Sequence, residues 1–293
     1  MTRFRASAVL IAVLLFVRPG IAQKDPPAGD ILKLASDYLA SWAARVSGVS
    51  LEEEYTLLDV SGSRLVSTRR ITSDLVLLNL NGRITGLRDP FAVDSNAIRE
   101  RTPRITSLLA KPSEAAWAQA QAYAGESLRY FQEDLIVRLN GPTQALQFVA
   151  TEYQPRVTWK IEGRKKIGGI ETVGLRFQET KVRPPKYILQ TRGDAVASGK
   201  LWVDPATGRI HRTELWMESD SESAHIVVDY ARDAALDLWL PSSMVEKYEV
   251  TERVGTDLST QREGTPGLAK RAYDCRASYS HARLTPIGMR VTK

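Results

Sequence analysis

The chain has 293 residues, 43% hydrophobic and 25% charged, with 40 basic side chains against 34 acidic ones. That is ordinary globular composition with length for a sizeable core, and it excludes a disordered or collagen-like chain. With Cys275 as the one cysteine there is no internal disulfide, so packing alone must hold the fold.

Residues 1–22 read as a secretory signal peptide: basic Arg3 and Arg5, the 12-residue apolar run Ala6–Val17, then small residues Gly20 and Ala22 at the cleavage positions. The run is short for a membrane span, although an N-terminal anchor helix is the alternative. No cysteine follows it, so there is no lipobox. Residues 23–29 form a tether. Cleavage removes three of the basic residues and leaves 37 against 34, which is not a nucleic-acid signature. The expected location is periplasmic or secreted, without an integral membrane segment after cleavage.

"GDILKLASDYLASWAARVSG" predicts a helix with Asp30 as N-cap and Gly48 at C′. Ile31, Leu34, Ala35, Tyr38, Leu39, Trp42 and Val46 make its apolar face. From Leu51 the pattern turns to strands, broken at Ser61-Gly62-Ser63, at the hairpin signal Asn81-Gly82 and at Asp94-Ser95-Asn96. A helical insertion follows at about 103–132, with Ser113 as N-cap and a stripe of Ala116, Trp117, Ala120, Tyr123, Ala124, Leu128 and Phe131. After about Glu133 every segment reads as strand, including "LIVRL", "ALQFVAT" and "YILQT". Gly163-Arg-Lys-Lys166 reads as a polar turn, Arg183-Pro-Pro185 as a stiff bend, "ESDSES" as a polar hairpin tip, and about 256–270 as a mobile polar loop.

The stretch "LWVDPATGRIHRTELWM" resolves into a hairpin. Asp204 suits the first position of a type I turn, Pro205 the second, and Gly208 a left-handed residue. Val203 then pairs with Ile210 and Trp202 with His211. Leu201, Val203 and Ile210 are expected on one face, and Trp202, Leu215 and Met217 on the other. A sheet apolar on both faces needs a cover on each. The expected fold is therefore α+β: one strongly curved antiparallel sheet, an open half-barrel spanning 30–293, with an N-terminal helix and a helical insertion covering one side.

The stretches "ITSDLVLLNL", "LRDPFAVDSNAIRERTPRI", "GKLWVDPATGRIHRTEL" and "LWLPSSMVEKYEV" resemble a group of secreted bacterial proteins of unassigned function. That group has Phe-Arg-Asp and an Asp-Gly turn where this chain has Leu87-Arg88-Asp89 and Asp94-Ser95-Asn96, so a longer or looser turn is expected here. More weakly, the leader, first helix, consecutive strands, helical insertion and "LWVDPATGRI" are similar to the periplasmic lipoprotein-carrier (LolA/LolB/RseB-like) superfamily. That resemblance implies a bent sheet plugged by helices around a hydrophobic cavity for acyl chains. It carries over no ligand residue.

No catalytic or metal-binding constellation is present: no Gly-x-Ser-x-Gly elbow, phosphate loop or His-Glu-x-x-His. His211, His225 and His281 are widely spaced. Glu52 and Glu54 share a strand face, where a solvated charged surface is the bland reading and a paired-carboxylate hydrolase the sharp one. Cys275 alternates with Tyr273, Ala277 and Tyr279 and reads as a buried, inert thiol. The leading expectation is a non-catalytic, exported binding protein without cofactor, for a hydrophobic ligand such as a lipid or a lipoprotein acyl chain. Trp159, Trp202, Leu215, Met217 and Trp239 are the candidate cavity lining. The alternatives are an envelope protein-interaction or stress-sensing module and a hydrolase of unknown class. A simply filled core is the counterpart of the cavity reading.

Overall fold

The computed structural model describes residues 26–61, 64–111, 113–131, 136, 139–180, 195–254 and 267–288. The leader, "YILQT", the Arg183-Pro-Pro185 bend, the turn at residues 62–63 and residues 255–266 of the polar loop lie outside them.

The first helix, α1, is Ala28–Val46. It starts two residues before Asp30 and takes part of the expected tether. Pro27 is at the N-cap, and Asp30 sits inside the first turn, where its charge suits the helix dipole. Gly48 stands at C′ with φ +93°, as its sequence position predicts.

Eleven strands form one antiparallel sheet: β1 (Val49–Ser61), β2 (Arg64–Leu80), β3 (Arg83–Val93), β4 (Asn96–Ala97), β5 (Val157–Ile167), β6 (Ile170–Glu179), β7 (Val196–Val203), β8 (Ile210–Glu218), β9 (Glu222–Asp233), β10 (Leu238–Val254) and β11 (Gly267–Leu284). Their order is β4-β3-β2-β1-β11-β10-β9-β8-β7-β6-β5. Among the described residues the two ends do not pair, so the sheet is open.

It is also curled. Pro142 accepts a hydrogen bond from Tyr230 of β9, while the next residue, Thr143, donates to the Ile84 carbonyl of β3. Those strands stand five spacings apart, about 24 Å in a flat sheet. Two adjacent residues bridge that gap only if the sheet rolls around them.

The hairpin turns follow their chemistry. Asn81 and Gly82 both have positive φ, as a two-residue primed turn requires. The expectation of a longer or looser turn after β3 is corrected. Asp94 and Ser95 form an equally tight turn with φ of 51° and 67° between the paired Val93 and Asn96, tied to β2 by Arg70 N–H donating to Asp94 Oδ1. Gly163–Lys166 is not a turn either. It lies within β5, bulged at Gly163, and the chain reverses at Gly168-Gly169. Residues 267–270 of the expected loop are strand.

The 204–208 hairpin is present, with Asp204 N–H donating to the Arg209 carbonyl at 2.8 Å and Thr207 Oγ1 to the Asp204 carboxylate at 2.6 Å. Val203 pairs with Ile210, but Trp202 pairs with Arg212 and Leu201 with Thr213. His211 is the extra residue of a bulge, and it reverses the parity of everything after it. Leu215 and Met217 therefore share the inner face with Leu201 and Val203, and only Trp202 points outward. The bulge thus puts on one face the apolar residues that strict alternation would divide between two.

The inner face carries the main core: Tyr55, Leu57, Leu75, Phe177, Leu215, Met217, Ile226, Tyr248 and Tyr273 among others, closed by α1 and by Phe148 and Val149. "ALQFVAT" is not a strand. Gln144–Val149 is a 3-10 turn with Ala145 through Val149 all buried, and Ile136 and Leu139 of "LIVRL" are helical. A run buried on every side belongs inside the curl, not in a sheet with a wet face.

The helical insertion comprises α2 (Arg104–Leu109), α3 (Glu114–Gly125), capped by Ser113 Oγ as expected, and a 3-10 turn at Glu126–Tyr130. It does not cover the same side as α1. Ile105, Leu109 and Ala120 pack on Val76 and Leu78, the outward residues of β2. The chain then rounds the short-capped edge of β3, so that Phe131 joins the inner core against Tyr55. Leu128, expected in the packed stripe, is half exposed at that crossing.

Candidate ligand pocket

Where the chain rounds β3 it leaves a pocket of about 290 Å³. Alternation along β3 turns Ile84, Gly86 and Arg88 inward. A Cβ at Gly86 would lie 2.7 Å from Leu75 Cδ1 and push that side chain aside, so the glycine leaves Leu75 its place in the wall. Leu75, Ile84, Leu128 and Phe131 supply apolar wall; Asn140, Thr143, Gln144 and Gln147 supply the polar side, and Arg83 stands at the mouth.

The floor is a buried ion pair. Glu53, fully buried on β1, takes Arg88 in a two-point clamp: Nε to Oε2, and Nη2 to Oε1 at 2.8 Å. Ser73 Oγ donates to the same carboxylate at 3.0 Å. Arg88 also donates from Nη1 to Asn140 Oδ1 (3.1 Å) and from Nη2 to the Asn140 carbonyl (3.0 Å), fixing the polar wall to the sheet. Burial alone would lower the Arg88 pKa; the Glu53 charge and hydrogen bonds outweigh it and hold the guanidinium above its ordinary value. Removing either partner would strand a buried charge.

Two side-chain atoms of the polar wall lack a partner although their residues are more than nine-tenths buried: Asn140 Nδ2 and Gln147 Oε1. Deeper in the core, Glu246 of β10 accepts from Tyr55 OH (2.6 Å) and Tyr248 OH (2.8 Å). Burial pushes its carboxyl up to about 7, against the opposing effect of those hydrogen bonds and of Arg88.

A second space, of about 330 Å³, lies on the outer side between β2, β3 and the start of α2. Its charges are ion-paired, with Glu52 and Glu126 outside the space also taking Arg101 and Arg104. Asp74 pairs with Arg101 (2.7 Å) and Arg283 (2.9 Å), and Asp89 with Arg99 (2.8 Å) and Arg104 (2.6 Å). This lattice pins the insertion to the sheet and leaves those arginines engaged.

None of the five residues singled out from the sequence lines either space. Leu215 and Met217 are buried in the core, and Trp159 and Trp239 pack at its margin. Trp202 sits on the opposite face, its Nε1 donating to Glu214 at 2.7 Å and its ring beneath Lys165 and Lys200. Trp239 serves α1: its carbonyl accepts from Trp42 Nε1 at 2.6 Å, and Arg209 covers its ring.

His211 is buried edge-on against Trp239, and His225 stacks on Trp216; burial lowers both pKa values. Cys275 is buried, and burial followed by the Glu246 charge raises its thiol far above the ordinary value, so the inert reading holds. Glu52 is ion-paired with Arg101 on the outer face, Glu54 is exposed, and the buried carboxylate of the triplet is Glu53. No group of His, Cys, Asp and Glu suited to a metal ion occurs among the described residues.

The signal for the missed floor was present in the sequence. Leu51, Glu53, Tyr55 and Leu57 alternate on one face, as do Met244, Glu246 and Tyr248. A carboxylate in an apolar alternation must be paired or neutral.

No protein-family model matches the chain, and no curated protein matches it in sequence. Among solved structures it is similar to a domain named for outer-membrane lipoprotein sorting from Vibrio parahaemolyticus, at 12% identity over 90% of this chain and 95% of that one, with a TM-score of 0.40. A DUF1329 family protein from Desulfovibrio piger follows at 12% identity, 91% and 96% coverage and TM-score 0.38. A LolA superfamily protein from Nitrosomonas europaea gives 12%, 86% and 94%, and 0.34. Two of these neighbours carry names from the lipoprotein-carrier superfamily, to which the sequence has its weaker resemblance. Similarity at this level leaves the functional reading to the chain's own geometry. None of the helices among the described residues is long and apolar enough to cross a membrane.

Proposed function

We propose that this protein is an exported, non-catalytic binding protein that holds a small lipid-like ligand in the pocket at the β3 edge. The observation that carries the reading is the pocket itself: apolar wall from Leu75, Ile84, Leu128 and Phe131 above a polar floor, reached past an exposed edge. Its volume stands at the small end of the range of ligand pockets, about 300–1,000 Å³, which suits one short acyl chain. Export rests on the basic-then-apolar N-terminal run, and the work belongs to the cell envelope.

The acyl groups of a whole lipoprotein need more room. Under this reading, Leu215, Met217, Trp159 and Trp239 would meet such a load only if α1 or the 139–149 segment moved aside. Trp202 would not meet it from the outer face. The second reading, an interaction or stress-sensing module, draws support from how completely α1 and Gln144–Val149 fill the curl.

Native mass spectrometry of gently purified protein, with binding of a fluorescent fatty-acid analogue, tests the proposal. Leu128 is half exposed at the pocket mouth, so Leu128→Trp fills the entrance without disturbing the core. We expect the analogue to bind the parent and be lost from L128W. Absence of any lipid adduct together with no probe binding, or equal binding by L128W, sinks the reading.

A further inference from the structure

The pocket floor specifies more than an apolar chain. Asn140 Oδ1 accepts from Arg88, a group that can only donate, so the amide orientation of Asn140 is fixed and its free end is the NH₂. Arg88 has five N–H donors. Glu53, Asn140 Oδ1 and the Asn140 carbonyl engage four, leaving one on Nη1 beside that NH₂. Across the same pocket, Gln147 donates to Gln144 Oε1 at 2.6 Å and keeps its own Oε1 as a free acceptor. The net charge at the floor is zero, because Glu53 answers Arg88.

We propose that the pocket recognises a neutral acyl carboxamide: the carbonyl oxygen on Asn140 Nδ2 and the spare Arg88 N–H, the amide N–H toward Gln147 Oε1, and the chain along Leu75, Ile84 and Phe131. This deepens the function proposed above and rests on an apolar chain entering that pocket.

The physical ground is the cost of unmet polar groups. As the side chains stand, these two buried atoms are unmet. A ligand whose entry lets them turn toward it is favoured only if it supplies the hydrogen bonds they lack. A methyl ester offers the acceptor but no donor. An alkylammonium offers no acceptor and brings a positive charge toward Arg88 and Arg83. The carboxamide supplies both hydrogen-bonding roles without charge.

The test is competition against the fluorescent fatty-acid analogue by decanamide, methyl decanoate and decylamine, on the parent protein and on Asn140→Asp. The substitution keeps Oδ1 for Arg88 and replaces the free donor with an oxygen. We expect decanamide to displace the probe at roughly tenfold lower concentration than methyl decanoate, with decylamine weakest. N140D should erase most of the decanamide advantage. Equal potency of the three compounds on the parent, or an undiminished advantage in N140D, overturns the carboxamide assignment while leaving the pocket reading intact. Failure of all three to displace a bound probe removes the pocket reading itself. Should N140D not fold, as judged by its melting curve, the ranking on the parent still decides.

Discussion

Replacing Glu246 with Gln should stabilise the protein at alkaline pH and do little in acid. Glu246 is fully buried, faces Tyr55, Tyr248 and Cys275, and lies within the field of Arg88 and Glu53. Its carboxyl is raised from an ordinary 4.5 to about 7, burial being the largest cause. The folded state therefore holds a proton that the unfolded chain releases. Stability from this group is fully present below about pH 4.5 and is lost as pH rises through about 7. The difference between those two values corresponds to about 3 kcal/mol.

Gln copies the protonated acid, with one acceptor for a tyrosine hydroxyl and no charge to bury. The stability gap between E246Q and the parent should thus widen by about 3 kcal/mol between about pH 4.5 and about pH 8, or roughly 6–12 °C in melting temperature for a chain of this size. Urea titrations followed by tryptophan fluorescence at several pH values measure it. Parallel stability curves for the two proteins, or a Gln variant that weakens with rising pH as the parent does, would refute the reasoning.

Three further outcomes follow from the geometry. Arg88→Met strands the Glu53 carboxylate and should cost about 3–5 kcal/mol in denaturant titration, with E53Q/R88M recovering most of it; equal loss in single and double variants would deny the pair. Gly208→Ala should cost about 2 kcal/mol or more, because φ is +72° and a Cβ would lie 2.1 Å from the Leu34 carbonyl of α1; a melting temperature unchanged from the parent would show that the turn does not clasp the helix. Cys275 should be silent to a thiol reagent in native buffer and react fully in denaturant, whereas fast native labelling would contradict its burial.

How far the sequence disclosed this structure depends on what each signal measures. Local chemistry was legible: Ser113 caps α3, Asn81-Gly82 turns a hairpin, Gly48 ends α1, and β6, β7, β8, β9 and β10 stand where strands were expected. Parity was legible only until a bulge. His211 adds one residue, and Leu215 and Met217 change faces without any change in local pattern. Gln144–Val149 is short and apolar, a composition that strand and buried turn share. What made it a turn is its place inside a curled sheet, a property of residues far away in the chain. The pocket was hidden for the same reason. Glu53, Arg88 and Asn140 come from separate segments, and the aromatic supply that suggested a cavity instead fills the core or, at Trp202, shields the outer face.

The most direct measurement is a crystal structure with bound bromodecanamide, located by the anomalous signal of its bromine. The account predicts a peak between Leu128, Phe131 and the β3 edge, with the amide beside Asn140. A bromine seated between α1 and the sheet, on the outer face near Trp202, or nowhere in the molecule would contradict it.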